Sequence, residues 1–224
     1  MELDRLRERY RGERARNYDR DRVSSAEWQR EQAVVESFLR DSELKPGDVV
    51  LDVPVGTGRF LDLYKSLGCR VVGLDISDEM LEQAVARGAE LGPDAELRIG
   101  DITRIEAGDS TAKAVVCVRI LNLLGFSDFQ LALGEAARVS GAYVIAGIQV
   151  RPTTVQEGGW WRRIASRRHV RNPAEKEDRS TAPHPEASVL REFRKRQLTV
   201  VRQELIVDSK SAIYYLYLLR KSNR

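Results

Sequence analysis

The feature that most constrains this chain is a repeated change of period between residues 49 and 150. Short, β-branched apolar runs alternate there with longer amphipathic stretches. Segments 49–53, 70–75, 96–99, 114–118 and 142–150 read as strands, and most are apolar enough to need cover on both faces. Segments 59–67, 78–91 and 128–139 read as helices. In the second of these Met80, Leu81, Ala84, Val85 and Leu91 share one side, and Ser127 is placed to cap the third. Another helix, 25–40, precedes the first strand, with Trp28, Val34, Val35, Phe38 and Leu39 on its apolar side. Strands joined through helices form a parallel sheet. The end of the chain breaks that rule. Segments 198–207 and 211–219 are strand-like, and the gap between them, Asp208-Ser209-Lys210, is short enough only for an antiparallel hairpin. The expected fold is therefore α/β: a seven-stranded, mostly parallel sheet with an antiparallel C-terminal hairpin strand and helices on both faces.

A chain of 224 residues suits one domain of this kind, and 42% hydrophobic with 32% charged residues places it among globular proteins. No run approaches the roughly eighteen apolar residues of a membrane span. Residues 1–22 are charged throughout and lack the apolar centre of a signal peptide, so a cytoplasmic protein is expected. Cys69 and Cys117 sit in apolar runs and read as buried free thiols; two cysteines cannot form a zinc site unaided. The charge is uneven. Residues 151–224 carry seventeen Lys and Arg against eight Asp and Glu, and 160–171 holds five arginines and no acid. Such an excess suits an anionic partner.

In open α/β sheets a ligand lies beyond the carboxyl ends of the strands, where strand order reverses. The informative residues fall at those ends. The first strand runs into Asp52-Val53-Pro54-Val55-Gly56-Thr57-Gly58. Gly56 and Gly58 let the backbone turn sharply and approach a ligand, and a helix following them aims free N–H groups at the same place. Asp75, at the end of the second strand, is placed to accept from two ribose hydroxyls. Asp101 follows the third strand and is placed to accept from an adenine amino group, with the Ile102 amide as donor to a ring nitrogen. Ile76 and Met80 offer an apolar, polarizable bed for the ring. The dinucleotide fingerprint wants a small third residue, but Leu61 occupies that position, which argues against NAD or FAD. An acid at Asp52 suits a cationic ligand better than a pyrophosphate.

These stretches carry a resemblance. Leu51-Asp52-Val53-Pro54-Val55-Gly56-Thr57-Gly58-Arg59-Phe60, Val72-Gly73-Leu74-Asp75-Ile76-Ser77, Asp78-Glu79-Met80-Leu81 and Gly100-Asp101-Ile102 are similar to the corresponding stretches of class I S-adenosylmethionine-dependent methyltransferases, which share a Rossmann-like fold. The resemblance spans roughly residues 49–150, with a similar hairpin at the end. Two departures stand out: Pro54 occupies the first of three alternate glycine positions, and Ala112-Lys113-Ala114 lacks the aspartate that many members carry before the fourth strand. The resemblance implies S-adenosyl-L-methionine as cofactor, held by Asp52, Pro54, Gly56, Gly58, Asp75, Ile76, Met80, Asp101 and Ile102. It also implies an organisation of the single domain: an N-terminal helical lid over 1–45, a cofactor-binding core over 46–150, a basic acceptor-side insertion over 151–197 that includes a helix over 186–196, and the hairpin over 198–224.

On the acceptor side the sequence leaves several roles open. Arg119 is placed to touch the cofactor or an anionic acceptor, or to form a surface ion pair. Asn122 can meet the acceptor or cap the next turn. Val118-Arg119-Ile120-Leu121-Asn122 is not the Asn/Asp-Pro-Pro-aromatic motif of amino-methylating nucleic-acid enzymes, which disfavours that chemistry. In the lid, Tyr18 is a candidate for the methionine end of the cofactor, and Arg20 or Arg22 for its carboxylate. His184, in Pro183-His184-Pro185, is a general-base candidate or a surface loop residue; His169 is the other histidine. Trp160 and Trp161 either line an acceptor pocket or anchor the insertion. No metal site is expected. The reading is a methyltransferase acting on O or N of a small or envelope-linked metabolite. The alternatives are an RNA methyltransferase using the basic C-terminal region and a catalytically silent cofactor-binding scaffold.

Overall fold

A computed structural model describes residues 2–89, 94–151, 183–209 and 212–222. Helices α1 (Glu2–Arg9), α2 (Glu13–Arg16) and α3 (Ala26–Asp41) precede β1 (Val49–Asp52). Then follow α4 (Leu61–Ser66), β2 (Arg70–Asp75), α5 (Asp78–Gly88), β3 (Ala95–Ile99), β4 (Ala112–Cys117), α6 (Phe126–Val139) and β5 (Ser140–Arg151). The described remainder is β6 (His184–Pro185), α7 (Glu186–Lys195), β7 (Leu198–Asp208) and β8 (Ile213–Lys221). The sheet order is β3-β2-β1-β4-β5-β8-β7. Strands β1 to β5 pair in parallel, while β8 pairs antiparallel with both β5 and β7. The expected seven strands are present. An eighth, β6, is only two residues long; it pairs with β5 at Val150 and Arg151, beyond Ala146, the last β5 residue in register with β4.

Both faces of the sheet are covered, so successive residues of a central strand enter different cores. In β4, Val115 and Cys117 pack with Phe129, Leu133 and Phe193 of α6 and α7. Ala114 and Val116 pack on the other side with Phe38 of α3, Tyr64 of α4 and Ala84 of α5. Cys69 and Cys117 are buried and free, as expected. Gly147 of β5 is required by the second core: a Cβ there would lie 2.3 Å from the Tyr214 hydroxyl oxygen. That gap lets Tyr214 of β8 cross its neighbour and reach Glu31 on α3 at 2.9 Å.

Three local expectations are corrected. Helix α6 begins at Phe126 with Gly125 at its N-cap, so Ser127 lies inside the helix instead of capping it. Val85 is 50% exposed, because α5 turns only Met80, Leu81, Ala84 and Gly88 inward. Helix α4 starts two residues later than expected, after a turn through Gly58. Serine caps do open two other helices: Ser25 accepts from the Trp28 N–H at 3.1 Å and Ser77 from the Met80 N–H at 3.4 Å.

Candidate active site

Strand order reverses between β1 and β4, and a cavity opens there at the carboxyl ends of the strands. The turn after β1 forms one wall. Gly56 and Gly58 have φ of 58° and 78°, a left-handed conformation that glycine adopts without steric penalty. Their jobs differ. Gly56 faces the cavity, where a Cβ would meet the Met80 Cε at 3.6 Å. Gly58 is a packing glycine: a Cβ there would lie 2.6 Å from Leu61 Cδ1 and 3.2 Å from the Ala84 backbone. Leu61, bulky where a dinucleotide site wants a small residue, fills the space between α4 and α5 that Gly58 leaves.

Asp75 closes the next strand, accepting from the Gly56 N–H at 2.9 Å and the Ser77 N–H at 2.8 Å. Burial pushes its carboxyl up to about 6, against the opposing pull of those donors. Each oxygen keeps a further lone pair for a ligand hydroxyl. Ile76, Met80, Pro54 and Gly56 line the cavity with it. Tyr18 and Arg119 line the cavity too, whereas Asp52, Gly58, Asp101 and Ile102 lie outside the lining. Asp52 is 1% exposed, takes the Tyr64 hydroxyl at 3.0 Å, and is raised by burial to about 8, so it is largely protonated at neutral pH. Asp101 folds into a local turn, with Oδ1 accepting from the Thr103 N–H at 2.7 Å and hydroxyl at 2.8 Å. Ile102 is buried in the core.

The N-terminal segment lies over this site. Leu6, Tyr10, Tyr18 and Trp28 line the cavity from above the strand ends, with Tyr18 edge-on to both Tyr10 and Trp28. The space left is about 80 Å³, well below the roughly 300–1,000 Å³ of a small-molecule site. A row of contacts runs along α5. Arg7 pairs with Asp78 at 2.8 Å, the Gly12 N–H donates to Glu79 at 2.7 Å, and Gln83 donates to the Ala15 carbonyl at 2.9 Å. The Ser77 hydroxyl donates to the Tyr10 carbonyl at 2.7 Å. Asp19 accepts from Thr57 at 2.7 Å and from Arg87 at 3.0 Å, joining the segment to the glycine turn as well.

A buried charge cluster forms the remaining wall. Glu31 on α3 is fully buried and accepts from Arg59 at 2.5 Å, Arg119 at 2.8 Å and Tyr214 at 2.9 Å. Arg59 also donates to Gln32 at 2.9 Å and to the Trp28 carbonyl, and its guanidinium carbon sits 3.5 Å from the Trp28 ring centroid. Burial lowers the pKa of Arg59. At Arg119 burial acts the same way but is outweighed by Glu31, Tyr214 and Tyr18, so its net shift is upward. Arg119 thus forms an ion pair and lines the cavity together with Arg59. Sequence reasoning missed Arg59 and Glu31. The available signal was an acid at an inward position of α3, between Trp28 and Val35.

Other candidates fall elsewhere. Arg20 is exposed beside Asp21. Arg22 donates to the Tyr18 carbonyl and lies over the Tyr18 ring, without lining the cavity. His184 is 3% exposed, which corrects its reading as a surface loop residue. Its Nε2 lies 2.9 Å from the Leu121 carbonyl and its ring packs on Phe129. Asn122 is buried, and its Oδ1 has no hydrogen-bond partner among the described residues. Trp160, Trp161, His169 and the arginines of 160–171 lie outside the described residues. Among the described residues no cluster could hold a metal, and no helix is long and apolar enough to cross a membrane.

Comparison with known proteins agrees with this geometry. A family described as a methyltransferase domain matches residues 50–141. The malonyl-[acyl-carrier protein] O-methyltransferase of Yersinia pestis is 31% identical over 158 residues, which are 70% of this chain and 55% of that protein. Its counterpart in Serratia marcescens is 29% identical over 139 residues, 61% of this chain and 52% of that one. The chain thus spans about half the length of the curated relatives it matches. A crystal structure of magnesium protoporphyrin IX methyltransferase from Synechocystis PCC 6803, with bound S-adenosylhomocysteine, superposes with a TM-score of 0.73 at 14% identity. That match covers 99% of this chain and 100% of the other. Sequence match and sheet order point the same way: residues 50–141 match a methyltransferase-domain family, and the chain has the class I, Rossmann-like fold of S-adenosylmethionine-dependent methyltransferases.

Proposed function

We propose that the chain is an S-adenosylmethionine-dependent methyltransferase acting on an oxygen or nitrogen of a small, largely apolar acceptor. The observation that carries this reading is the meeting of Gly56, Asp75, Ile76 and Met80 in one cavity at the switch point of the sheet. These residues fit the cofactor. Gly56 holds the left-handed turn and keeps the backbone bare at the cavity, Asp75 keeps acceptor capacity for ribose hydroxyls, and Ile76 and Met80 give the base an apolar surface. Asp101 and Ile102, just past β3, are the proposed partners of the adenine edge.

The bound cofactor supplies a methyl group on a sulfonium, open to in-line displacement. The chain's part is to align the acceptor and exclude water. Leu6, Tyr10, Tyr18 and Trp28 perform the exclusion, and the contacts along α5 hold them there. Among the described lining residues there is no histidine or lysine to serve as general base. Burial holds Tyr18 protonated, with its hydroxyl pushed up to about 12. This favours an acceptor atom that attacks without first losing a proton, a carboxylate oxygen or a neutral amine that sheds its proton to solvent afterwards, over an alcohol. The O-methyltransferase named among the relatives supports the same direction.

The test supplies methyl-tritiated S-adenosylmethionine with three acceptor pools: malonyl-carrier protein, a small-metabolite extract and total RNA. Label in either of the first two is the expected result. Label confined to RNA would shift the assignment to the nucleic-acid reading suggested by the basic 151–197 region, and label in none would contradict the enzymatic reading.

A further inference from the structure

Arg119 holds an unusual backbone conformation. Its φ is 63°, in the left-handed region that disfavours any residue with a Cβ. Among the described residues the other non-glycines with positive φ, Glu43, Ser110 and Gln197, are exposed. Arg119 instead follows β4 and lines the cavity, so the strain sits where ligand would lie. Its side chain is held from behind: Nε donates to the buried Glu31 at 2.8 Å, and the guanidinium carbon lies 5.5 Å from the Trp28 ring centroid.

The two arginines on Glu31 are used differently. Arg59 donates from Nε to Gln32, from Nη1 to Glu31 and from Nη2 to the Trp28 carbonyl. Arg119 donates through Nε only. Its Nη1 and Nη2 have no hydrogen-bond partner among the described residues, and the side chain is 31% exposed. One carboxylate therefore serves two guanidinium groups. Glu31 lies behind the lining; Asp75, the acid among the described lining residues, belongs to β2, separated from β4 by β1, and is engaged by backbone N–H groups. A planar fork fixed in an otherwise apolar wall recognises an anion with two coplanar oxygens, which describes a carboxylate.

We propose that the remaining Nη1–Nη2 edge of Arg119, oriented by Glu31, is the seat of a ligand carboxylate, supplied either by the methyl acceptor or by the methionyl end of the cofactor. The assignment rests on the methyltransferase reading above. Arg119 binds; Glu31 is a positioning residue.

Calorimetry on the full chain and its Arg119→Gln variant separates the two sources. The probes are S-adenosylhomocysteine, its decarboxylated analogue, and, on protein saturated with S-adenosylhomocysteine, octanoate against octanamide. If the cofactor supplies the carboxylate, the variant loses about tenfold or more in affinity for S-adenosylhomocysteine and little for the decarboxylated analogue. If the acceptor supplies it, S-adenosylhomocysteine binds both proteins alike, and the preference for octanoate over octanamide disappears in the variant. In either case Arg119→Lys, which keeps the charge without the fork, restores only part of the loss. The proposal is overturned if the variant matches the parent with every probe, or if both nucleosides weaken equally, since equal loss marks a structural role. Failure of the unmodified chain to bind either nucleoside would count against the methyltransferase reading, and octanoate binding, measured then on the bare protein, would still decide the anion seat.

Discussion

Asp52 and Asp75 end neighbouring parallel strands, and their surroundings give them different work. Asp75 lines the cavity and keeps acceptor capacity, whereas Asp52 is sealed beneath the turn against the Tyr64 hydroxyl. Burial raises Asp52 to about 8, far above the roughly 3.9 of a free aspartate. The folded state then holds a proton that the unfolded chain releases. The stability tied to this group is complete below about pH 4 and is lost as pH rises through about 8. Asp75, raised to about 6, acts in the same direction over a lower window. Asp52→Asn should therefore flatten the fall in melting temperature over about pH 4–8, leaving between pH 4 and 6 the part that Asp75 contributes. Parallel melting curves for parent and variant over pH 6–9 would contradict this. The sequence marked both aspartates but could not rank them, because the difference lies in which side chain the turn covers. It also passed over Glu31, whose neighbours Trp28, Val35 and Phe38 already placed it on the inward face of α3. An acid so placed must find cations, and Arg59 and Arg119 meet it from distant parts of the chain.

Helix α5 links the nucleotide side of the cavity to the N-terminal segment. Met80 and Ala84 face inward, while Glu79, Gln83 and Arg87, four residues apart, form a stripe that holds the segment. We propose that this segment is a lid, which must move for a nucleoside to reach a cavity this small. Asp19 connects it to the glycine turn and to α5 at once. Asp19→Ala should lower global stability by about 1 kcal/mol, since the ion pair with Arg87 is open to solvent and the Thr57 hydroxyl loses its acceptor. It should, however, speed tryptic cleavage among the arginines of residues 14–22 and S-adenosylhomocysteine should slow that cleavage again. Cleavage at the parent rate would contradict the tether. Helices α1 and α2 were hard to read in the sequence because their buried apolar residues among the described side chains are few, Leu6 in one and Ala15 in the other. A segment that packs mainly through polar contacts to another element leaves little hydrophobic period to detect.

At the scale of the whole molecule, the parallel core and the antiparallel finish were legible because the central strands β1, β4 and β5 are buried on two faces and the last connection is too short for a crossover. Strand β2 spans the residues expected, and β5, β7 and β8 run one to two residues beyond their expected ends. Strand β6 was not legible: two residues carry no period, and its pairing depends on where β4 stops. Likewise the glycines and Asp75 marked the cavity at the strand ends, whereas the Arg59–Glu31–Arg119 cluster depends on helix α3 packing against β7 and β8. The central claim is that this assembly binds S-adenosylmethionine with Asp75 on the ribose. Calorimetric titration of S-adenosylhomocysteine into the parent chain, Asp75→Asn and Asp75→Ala tests it most directly. The account predicts micromolar-range binding by the parent and about tenfold or greater loss in both variants, with Asp75→Asn still folded. No binding by the parent, or equal binding by a folded Asp75→Asn, would contradict it.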